Sequence, residues 1–456
     1  MDLGLIARVL AMRRTLQARE RWTRGQLEAH QAAQLQALRA HAYERSPFYR
    51  VLHGGLEGRP LAELPILTKA ALMEHFDALV TDRAIRLADV EAHLDEMRGD
   101  ERFAGRYRVV STSGSTGRRG IFLSDPVEWT TVIASYNRAQ EWAGISASVT
   151  RQTRIAVVST TTGWHQSARV GASVRNPLIR TLRIDATDPL PGTVARLNAF
   201  QPDSLIGYAS MHRLLADEQI SGRLQISPRA VMSASEVLTD ETRRLVLEAY
   251  GTQPFNVYAA TEPAGIASEC DLHAGLHLYE DLVITEVVDE ANRPVPAGEF
   301  GAKVLVTVLF SRTQPLIRYE LSDSVRLAAS PCPCGRPFAL LDDIQGRQED
   351  ILRLPDGAGG TVAVHPLVFH DVLDRAEAGE WQVVQHGVDL RLLVARPGPA
   401  FDGVALTSAI TKGVEALGAR PGRVGWEIVA SIPRSAVGKA PLVKADPSAS
   451  PPGPAR

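Results

Sequence analysis

The sequence predicts an α/β fold in which a large N-terminal domain carries parallel strands covered by helices. Short apolar runs at 154–159, 204–207, 230–232 and 255–258 alternate with stretches at helical spacing. This alternation is typical of parallel sheets, because each parallel strand needs a crossover connection that is usually a helix. Ligands of such sheets gather outside the carboxyl ends of the strands, so the polar segments that follow these runs are the first candidates for a site.

The apolar pattern changes from Leu282 onwards. Alternating runs at 283–288 and 303–308, separated by a turn at 292–294, predict antiparallel hairpins. We therefore predict a barrel-like β subdomain within about 276–345.

The chain of 456 residues is long enough for more than one domain. We predict a large domain over 1–348, opening with N-terminal helices within 1–50, and a small mobile α+β domain over 349–446. Residues 447–456 are rich in Pro and Ser, which predicts a disordered tail.

The first helices are predicted from the spacing of apolar residues and from residues that begin or end helices. Apolar positions in a segment rich in Ala, Leu, Gln and Arg predict amphipathic helices up to about residue 45, where Ser46-Pro47 ends them. Thr68 precedes the next helical segment and is predicted as its N-cap.

The composition favours small-molecule partners. A formal net charge of -2 gives no electrostatic reason to expect nucleic acid or an anionic membrane as a partner. Arginines at 8, 13 and 14 interrupt the N-terminal apolar positions, and the chain has no run of about 18 uncharged apolar residues. The sequence therefore predicts neither a signal peptide nor a membrane span, and by default a cytoplasmic location.

A run of Ser, Thr and Gly at 111–120 predicts a phosphate-binding loop. Glycines let backbone N–H groups approach an anion closely, and hydroxyls add further donors. A Walker loop is excluded because it needs a lysine, which this stretch lacks. A flexible surface linker is the competing interpretation. The residues assigned to phosphate binding are Ser111, Ser113, Gly114, Ser115, Thr116 and Gly117.

This loop and four later segments, in the same order, resemble the adenylate-forming enzymes: acyl-CoA synthetases, adenylation domains and luciferase-like ligases. The form of the segments is closest to the phenylacetate-CoA ligase branch. The later segments begin at Tyr258, Ile317, Gly346 and Pro433. Each is short, and it is their joint occurrence in the family's order that makes the resemblance specific. It implies that the 111–117 loop holds the phosphates of ATP.

Tyr258-Ala259-Ala260-Thr261-Glu262 resembles the family's Tyr-Gly-x-Thr-Glu motif. The resemblance implies that Tyr258 stacks on adenine, Thr261 bonds the α-phosphate and Glu262 holds Mg²⁺, for which a carboxylate is a suitable hard ligand. The alternative is an ordinary strand-to-helix turn with Thr and Glu near a helix start. Ala259 replaces the usual glycine, and we expect it to narrow the acyl pocket.

The same resemblance assigns roles to four further positions. Ser235 and Glu236 are similar to the segment that lines the adenine pocket. His165 follows Trp164 where the family often has an aromatic-His pair beside the carboxylate substrate; a structural or solvated histidine is the alternative. Asp323 would accept hydrogen bonds from both ribose hydroxyls, a task suited to a carboxylate, unless it is an edge-strand carboxylate in water.

Two motifs near the C terminus complete the set. The resemblance implies that Arg347 lies at the ribose or the phosphates and that Glu349 is the interdomain hinge, although the family has Asp there. Lys439 ends a Pro-x-x-x-x-Gly-Lys signature and is one of five lysines in an arginine-dominated chain. Its ammonium could stabilise charge that develops as the carboxylate attacks the α-phosphate; a solvated lysine is the alternative.

The three cysteines predict a metal site. They are too few and too close in sequence for a secreted disulfide framework. Cys270, Cys332 and Cys334 with one histidine make the usual set of a structural zinc site, and similar positions occur in some phenylacetate-CoA ligase-like proteins. We favour His273, because a Cys-x-x-His loop brackets a metal readily, with His277 as the alternative ligand. Buried, inert thiols are the competing interpretation.

The resemblance thus implies an enzyme that uses ATP and Mg²⁺ to convert a carboxylic acid, aromatic by analogy, into an acyl-adenylate and pyrophosphate. CoA is the expected acceptor, and an amine or a carrier-protein thiol are alternatives. The small domain would rotate between the two half-reactions. A zinc-containing nucleotide-binding protein without catalytic activity is the alternative of a different class.

Overall fold

A computed structural model describes residues 3–112, 119–146, 152–173, 178–347, 350–364, 366–373, 378–435 and 437–445. The helices are α1 (Leu3–Arg19), α2 (Arg24–Arg45), α3 (Pro47–Leu52), α4 (Lys69–Glu74), α5 (Phe76–Leu79), α6 (Leu87–Glu96), α7 (Pro126–Trp142), α8 (Gln166–Ser173), α9 (Leu190–Phe200), α10 (Ala209–Ile220), α11 (Asp240–Tyr250), α12 (Leu367–Leu373) and α13 (Gly403–Ala416).

The strands are β1 (Arg108–Ser111), β2 (Ile121–Ser124), β3 (Thr153–Ser159), β4 (Ile179–Asp185), β5 (Ser204–Gly207), β6 (Ala230–Ala234), β7 (Pro254–Ala260), β8 (Ala264–Glu269), β9 (Leu276–Leu278), β10 (Val283–Val288), β11 (Lys303–Val308), β12 (Tyr319–Leu321), β13 (Asp323–Leu327), β14 (Leu340–Arg347), β15 (Leu352–Pro355), β16 (Thr361–Val364), β17 (Glu380–His386), β18 (Asp389–Ala395), β19 (Val424–Ile428) and β20 (Val443–Lys444).

The predicted α/β class is confirmed. Within the described residues a nine-stranded sheet runs in the order β13-β14-β9-β8-β7-β6-β5-β3-β4. Strands β4, β3, β5, β6 and β7 are parallel, while β8, β9, β13 and β14 extend the sheet with antiparallel pairings. The carboxyl ends of the five parallel strands therefore meet at one edge of the sheet.

Local sequence explains where the helices begin. The Asp125 side chain accepts hydrogen bonds from the first turn of α7, and the Glu128 carboxylate accepts the backbone N–H of Asp125, which is a capping box. Thr23 and Gln26 cap α2 in the same way. Thr68 accepts the N–H of Ala71, so its prediction as the N-cap of α4 is confirmed.

Helix α7 is tied to the sheet by a buried ion pair. The Arg138 guanidinium donates to both carboxylate oxygens of Asp281 at 2.8 Å, and both side chains are almost fully buried. The guanidinium carbon lies 4.8 Å from the ring centre of Tyr279. A bidentate arginine pair in this setting fixes the relative position of two elements.

The hairpins predicted after Leu282 are present. They form a three-stranded sheet, β10-β11-β12, while β13 and β14 continue the large sheet. Apolar residues of both parts, including Val283, Val304 and Val325, belong to one core cluster. The β10–β14 region is thus packed around a shared interior.

Residues from Leu352 onwards have an apolar core of their own, which includes Phe369, Trp381 and Ile410. A four-stranded sheet in the order β19-β18-β17-β20 packs there with α12 and α13. The predicted boundary at 348/349 and the predicted tail at 447–456 lie outside the described residues, so the domain limits stay predictions. Among the helices described, none is long and apolar enough to cross a membrane.

Candidate active site

A cleft of about 1720 Å³ lies at the carboxyl ends of the parallel strands and reaches the C-terminal segment. Segments that follow β3, β5, β6 and β7 contribute to its walls, as do β13 and the loop before β20. Of the residues predicted to bind or activate the substrates, those that line it are His165, Ser235, Glu236, Tyr258, Thr261, Asp323 and Lys439. Seven positions far apart in sequence therefore face one space.

Tyr258 and Asp323 meet across two strands of this cleft. The Tyr258 hydroxyl donates a hydrogen bond of 2.8 Å to Oδ2 of Asp323. Tyr258 lies near the end of β7 and Asp323 begins β13. Arg347 ends β14, where its backbone lies opposite Asp323 in the β-ladder. The three positions are therefore neighbours at the same end of the sheet.

Thr261 and Glu262 directly follow β7. The buried Gln166 side chain donates to the Thr261 carbonyl at 3.0 Å and accepts the Tyr136 hydroxyl at 2.6 Å. The Tyr319 hydroxyl donates to Oε1 of Glu262 at 3.1 Å. Burial, together with the charge of Glu262, raises the pKa of Tyr319 well above its usual value, so this phenol stays a donor.

His165 is held neutral beside Lys439. Burial first of all, and then the positive charges of Lys439 and Arg183, lower the pKa of His165 to about 3. Its Nδ1 lies 3.0 Å from the Ser167 hydroxyl. A neutral imidazole can accept or donate one hydrogen bond here without adding charge to the cleft.

Glu236 lines the cleft but has backbone partners on two separate segments. Its Oε2 accepts the N–H of Ser210 at 2.8 Å, and its Oε1 accepts the N–H of Ala440 at 2.7 Å. The preceding Ser235 has a φ of 70°, which is uncommon for a residue with a side chain. The carboxylate therefore bridges the α10 start and the loop that carries Lys439.

The Ser/Thr/Gly loop is described only at its two ends. Ser113, Gly114, Ser115, Thr116 and Gly117 lie outside the described residues, as does Glu349. Ser111 ends β1, and its N–H donates to the Trp164 carbonyl at 2.9 Å. The Arg119 guanidinium lies 5.0 Å from the Trp164 ring centre. Both ends of the loop thus adjoin the segment that carries His165.

A second group of residues surrounds a possible metal position away from the cleft walls. The side-chain ligand atoms of Cys270, His277, Cys332 and Cys334 all lie within 4.8 Å of one another. Sγ of Cys270 is 3.8 Å from Sγ of Cys332, and Sγ of Cys334 is 3.4 Å from Nε2 of His277. Burial raises the pKa of Cys270 to about 12 and lowers that of His277 to about 4.

His273, the ligand favoured from the sequence, lies outside this group, and the alternative ligand His277 lies within it. His273 sits in the turn between β8 and β9 with a φ of 49°, and its Nδ1 lies 2.9 Å from the Glu269 carboxylate. His277 is fully buried on β9 and its Nε2 faces the thiol of Cys334. The His273 ring is thus paired with Glu269, and His277 is the histidine that completes the group.

We compared the chain with known proteins. No family model matches it. Phenylacetate-coenzyme A ligase of Thermus thermophilus is 28% identical over 352 residues, which is 72% of each chain. Protein CapK of Staphylococcus aureus is 24% identical over 310 residues, 64% of this chain and 60% of that protein.

Solved structures of a CoA ligase have a fold similar to that of this chain. 2-Hydroxyisobutyryl-CoA ligase in its postadenylation state superimposes with a TM-score of 0.73 at 20% identity, covering 94% of this chain and 92% of that one. In its thioesterification state the same ligase gives 0.58. The chain is similar in sequence to phenylacetate-CoA ligase and has the fold of the adenylate-forming enzymes.

Several contacts in the cleft were not predicted from the sequence. Tyr319, Gln166 and Arg183 contribute to the cleft or hold its residues, and Ser210 contacts Glu236. Tyr319 lies in the segment that begins at Ile317, so the sequence did carry a signal for its hydroxyl. The other three have no local signature.

Proposed function

We propose that this chain is an AMP-forming acid–CoA ligase. ATP and a carboxylic acid form an acyl-adenylate with release of pyrophosphate, and CoA then takes the acyl group as a thioester. The observation that carries the proposal is that Tyr258, Thr261, Asp323 and Lys439 face one cleft in a relative of phenylacetate-CoA ligase. The cleft is larger than the 300–1,000 Å³ or so of an ordinary ligand pocket, as two or three substrates require.

The nucleotide would lie along the β7 and β13 ends. Tyr258 would stack on adenine, and its bond to Asp323 would orient the carboxylate that accepts the ribose hydroxyls. Thr261 would bond the α-phosphate, with Arg347 and the 111–117 loop at the ribose and phosphates. The bond from Tyr319 supports Glu262 as the residue that would hold Mg²⁺, which neutralises phosphate charge when bound.

The carboxylate of the acid would lie between Lys439 and His165. The ammonium of Lys439 would attract both the carboxylate and the α-phosphate and stabilise the charge that develops between them. His165 would be a neutral hydrogen-bonding partner, which the low pKa of the ring supports. We propose an aromatic acid by analogy with phenylacetate-CoA ligase; an amine or a carrier-protein thiol remain alternative acceptors.

We also propose a structural zinc ion at Cys270, His277, Cys332 and Cys334. Three sulfurs and one imidazole nitrogen are a common zinc ligand set, and the separations of these atoms suit a tetrahedral ion. The ion would tie the β8–β9 turn to the loop before β14. The cytoplasmic location stays a prediction from the sequence.

ATP–pyrophosphate exchange over a panel of aryl acids tests the ligase proposal. We expect exchange with at least one acid. Lys439→Ala should lower the exchange rate by about 100-fold or more, since removal of one transition-state donor costs about 10²–10³ in rate. Lys412→Ala, at an exposed lysine of α13, should leave the exchange rate unchanged. Product analysis with CoA, with amines and with hydroxylamine then identifies the acceptor. Absence of exchange with every acid would instead favour a nucleotide-binding protein.

A further inference from the structure

The loop that carries Lys439 is docked on the large sheet through a closed set of hydrogen bonds. Glu236, at the end of β6, accepts the N–H of Ser210 at 2.8 Å with one oxygen and the N–H of Ala440 at 2.7 Å with the other. The Glu236 and Ala440 positions are 204 residues apart in sequence. One carboxylate therefore connects the parallel-strand edge to the residue that follows Lys439.

Arg434 completes the set from the other side of the loop. Its Nη1 donates to the Ser210 hydroxyl at 3.0 Å and to the Gly438 carbonyl at 2.8 Å. Ser210, Glu236, Ala440, Gly438 and Arg434 thus form what we call the docking ring. Two members, Gly438 and Ala440, are the immediate neighbours of Lys439, so the backbone of the lysine is held on both sides.

The loop between these contacts is itself a tight turn. The Ser435 N–H donates to the Lys439 carbonyl at 2.8 Å, and the Gly438 N–H donates to the Ser435 carbonyl at 2.8 Å. Gly438 has a φ of 76°, and a Cβ there would lie 2.7 Å from Cβ of Ala186. Only glycine fits so close to the end of β4, so the loop is fitted to this docked position.

We propose that Glu236 is a positioning residue that docks Lys439 for acid activation, and that the docking ring opens when the small C-terminal unit moves for thioester formation. This rests on the ligase function proposed above. It differs from the adenine-pocket role expected for Glu236 from the sequence, since both carboxylate oxygens accept backbone N–H groups, and the KM for ATP distinguishes the two roles. The ring acts only through Lys439 and touches no reacting atom.

The two half-reactions separate this role from a structural one. With the best acid of the aryl panel, Glu236→Ala is expected to slow acyl-adenylate formation about 10- to 100-fold, the scale of a misplaced catalytic group, while the KM for ATP stays within about twofold. CoA transfer from preformed acyl-adenylate is expected to be unchanged or faster. Glu248→Ala, an exposed glutamate of α11 paired only with Arg244 in the described residues, is the matched control.

A double-mutant cycle with Lys439→Ala sharpens the test. If Glu236 acts through the lysine, Glu236→Ala lowers the residual rate of Lys439→Ala by no more than about twofold, because coupled residues are not additive. A further large loss in that background, a tenfold rise in the KM for ATP, or an equal fall of both half-reactions would each overturn the proposal. A rate of Glu236→Ala equal to that of the wild type would overturn it too.

Chemical labelling of Lys439 tests docking without substrates. The side chain is half-buried in the docked loop, so acetic anhydride should label it several-fold faster in Glu236→Ala than in the wild type. Ser210→Ala is the second variant, for use if Glu236→Ala folds poorly. It keeps the N–H donor to Glu236 and removes only the hydroxyl that accepts from Arg434, so labelling of Lys439 should rise by a smaller factor. Equal labelling in all variants refutes the docking role, whereas absent exchange in the wild type refutes only the ligase function.

Discussion

His273, in the β8–β9 turn, and His277, on β9, allow a sharp test of the zinc proposal. With Zn–S and Zn–N bonds of about 2.3 and 2.1 Å, a tetrahedral ion needs S···S and S···N separations of about 3.8 and 3.6 Å. The Cys270–Cys332 sulfurs are 3.8 Å apart, and Cys334 Sγ is 3.4 Å from Nε2 of His277. These two separations match a tetrahedral ion to within about 0.2 Å, and because all four ligand atoms lie within 4.8 Å of one another, zinc binding needs shifts of about 1 Å or less.

His277→Ala removes one of the four ligands. We expect zinc affinity to fall by more than about 100-fold, because loss of an outer-shell partner alone costs about 10- to 100-fold. At free zinc fixed at about 100 times the wild-type Kd, zinc adds about 2.7 kcal/mol to the free energy of unfolding of the wild type and about 0.4 kcal/mol or less to that of His277→Ala. His273→Ala, whose ring contacts Glu269 instead, should keep the full zinc effect.

The assays are zinc stoichiometry of purified protein, the thiolate-to-metal absorption of the cobalt-substituted protein, and denaturant unfolding at buffered zinc. The comparison within each variant, with and without zinc, removes any stability change that the substitution causes by itself. Less than a tenth of an equivalent of zinc in the wild type would refute the site. Loss of metal in His273→Ala with retention in His277→Ala would refute the ligand assignment.

Three further predictions follow from the cleft and the core. Tyr319→Phe removes the donor to Glu262, so the Mg²⁺ concentration for half-maximal exchange should rise about tenfold or more; an unchanged value would show that the hydroxyl is dispensable. Burial is the main reason that the pKa of His165 is about 3, so NMR should show no titration of its ring above about pH 5. The contribution of the neutral ring to the free energy of unfolding should be lost as pH falls from 6.5 towards 3. A titration of the ring near pH 6.5 would contradict this. Asp281→Asn leaves the Arg138 charge buried and should lower the free energy of unfolding by about 3–5 kcal/mol in a denaturant titration; a loss below about 1 kcal/mol would contradict it.

Much of the fold could be predicted because the parallel strands are short, apolar and separated by helices. The exceptions show the limit of that pattern. Strand β4 carries arginines at 180 and 183 and lies at the sheet edge, half exposed, so it lacks an apolar run. Strand β8 is fully buried but built from small residues, because Tyr279 packs so close that a Cβ at Gly265 would lie 2.8 Å from the ring. Neither strand has the periodicity that predicts a strand.

The membership of the site could be predicted more fully than its pairings. The order of the motifs predicted that Tyr258, Thr261, Asp323 and Lys439 share one cleft, and all four line it. The carboxyl ends of parallel strands meet at one edge of a sheet, which is why such a prediction is possible. Spacing could not distinguish His273 from His277, because the choice depends on how the turn after β8 is directed in space. The two partners of Glu236 are likewise set by tertiary packing of segments that have no sequence relation.

The docking ring also gives a physical reason for the different cations near the C terminus. Arg434 donates from one Nη to a hydroxyl and a carbonyl, a task for which a planar guanidinium with fixed donors is suited. Lys439 has the opposite requirement, because one compact charge must serve a carboxylate and a phosphate in a cleft where His165 is kept neutral. Under the proposed function, Lys439 is therefore a lysine in a chain that uses arginine almost everywhere else, and the ring that holds its two neighbours would open before the second half-reaction.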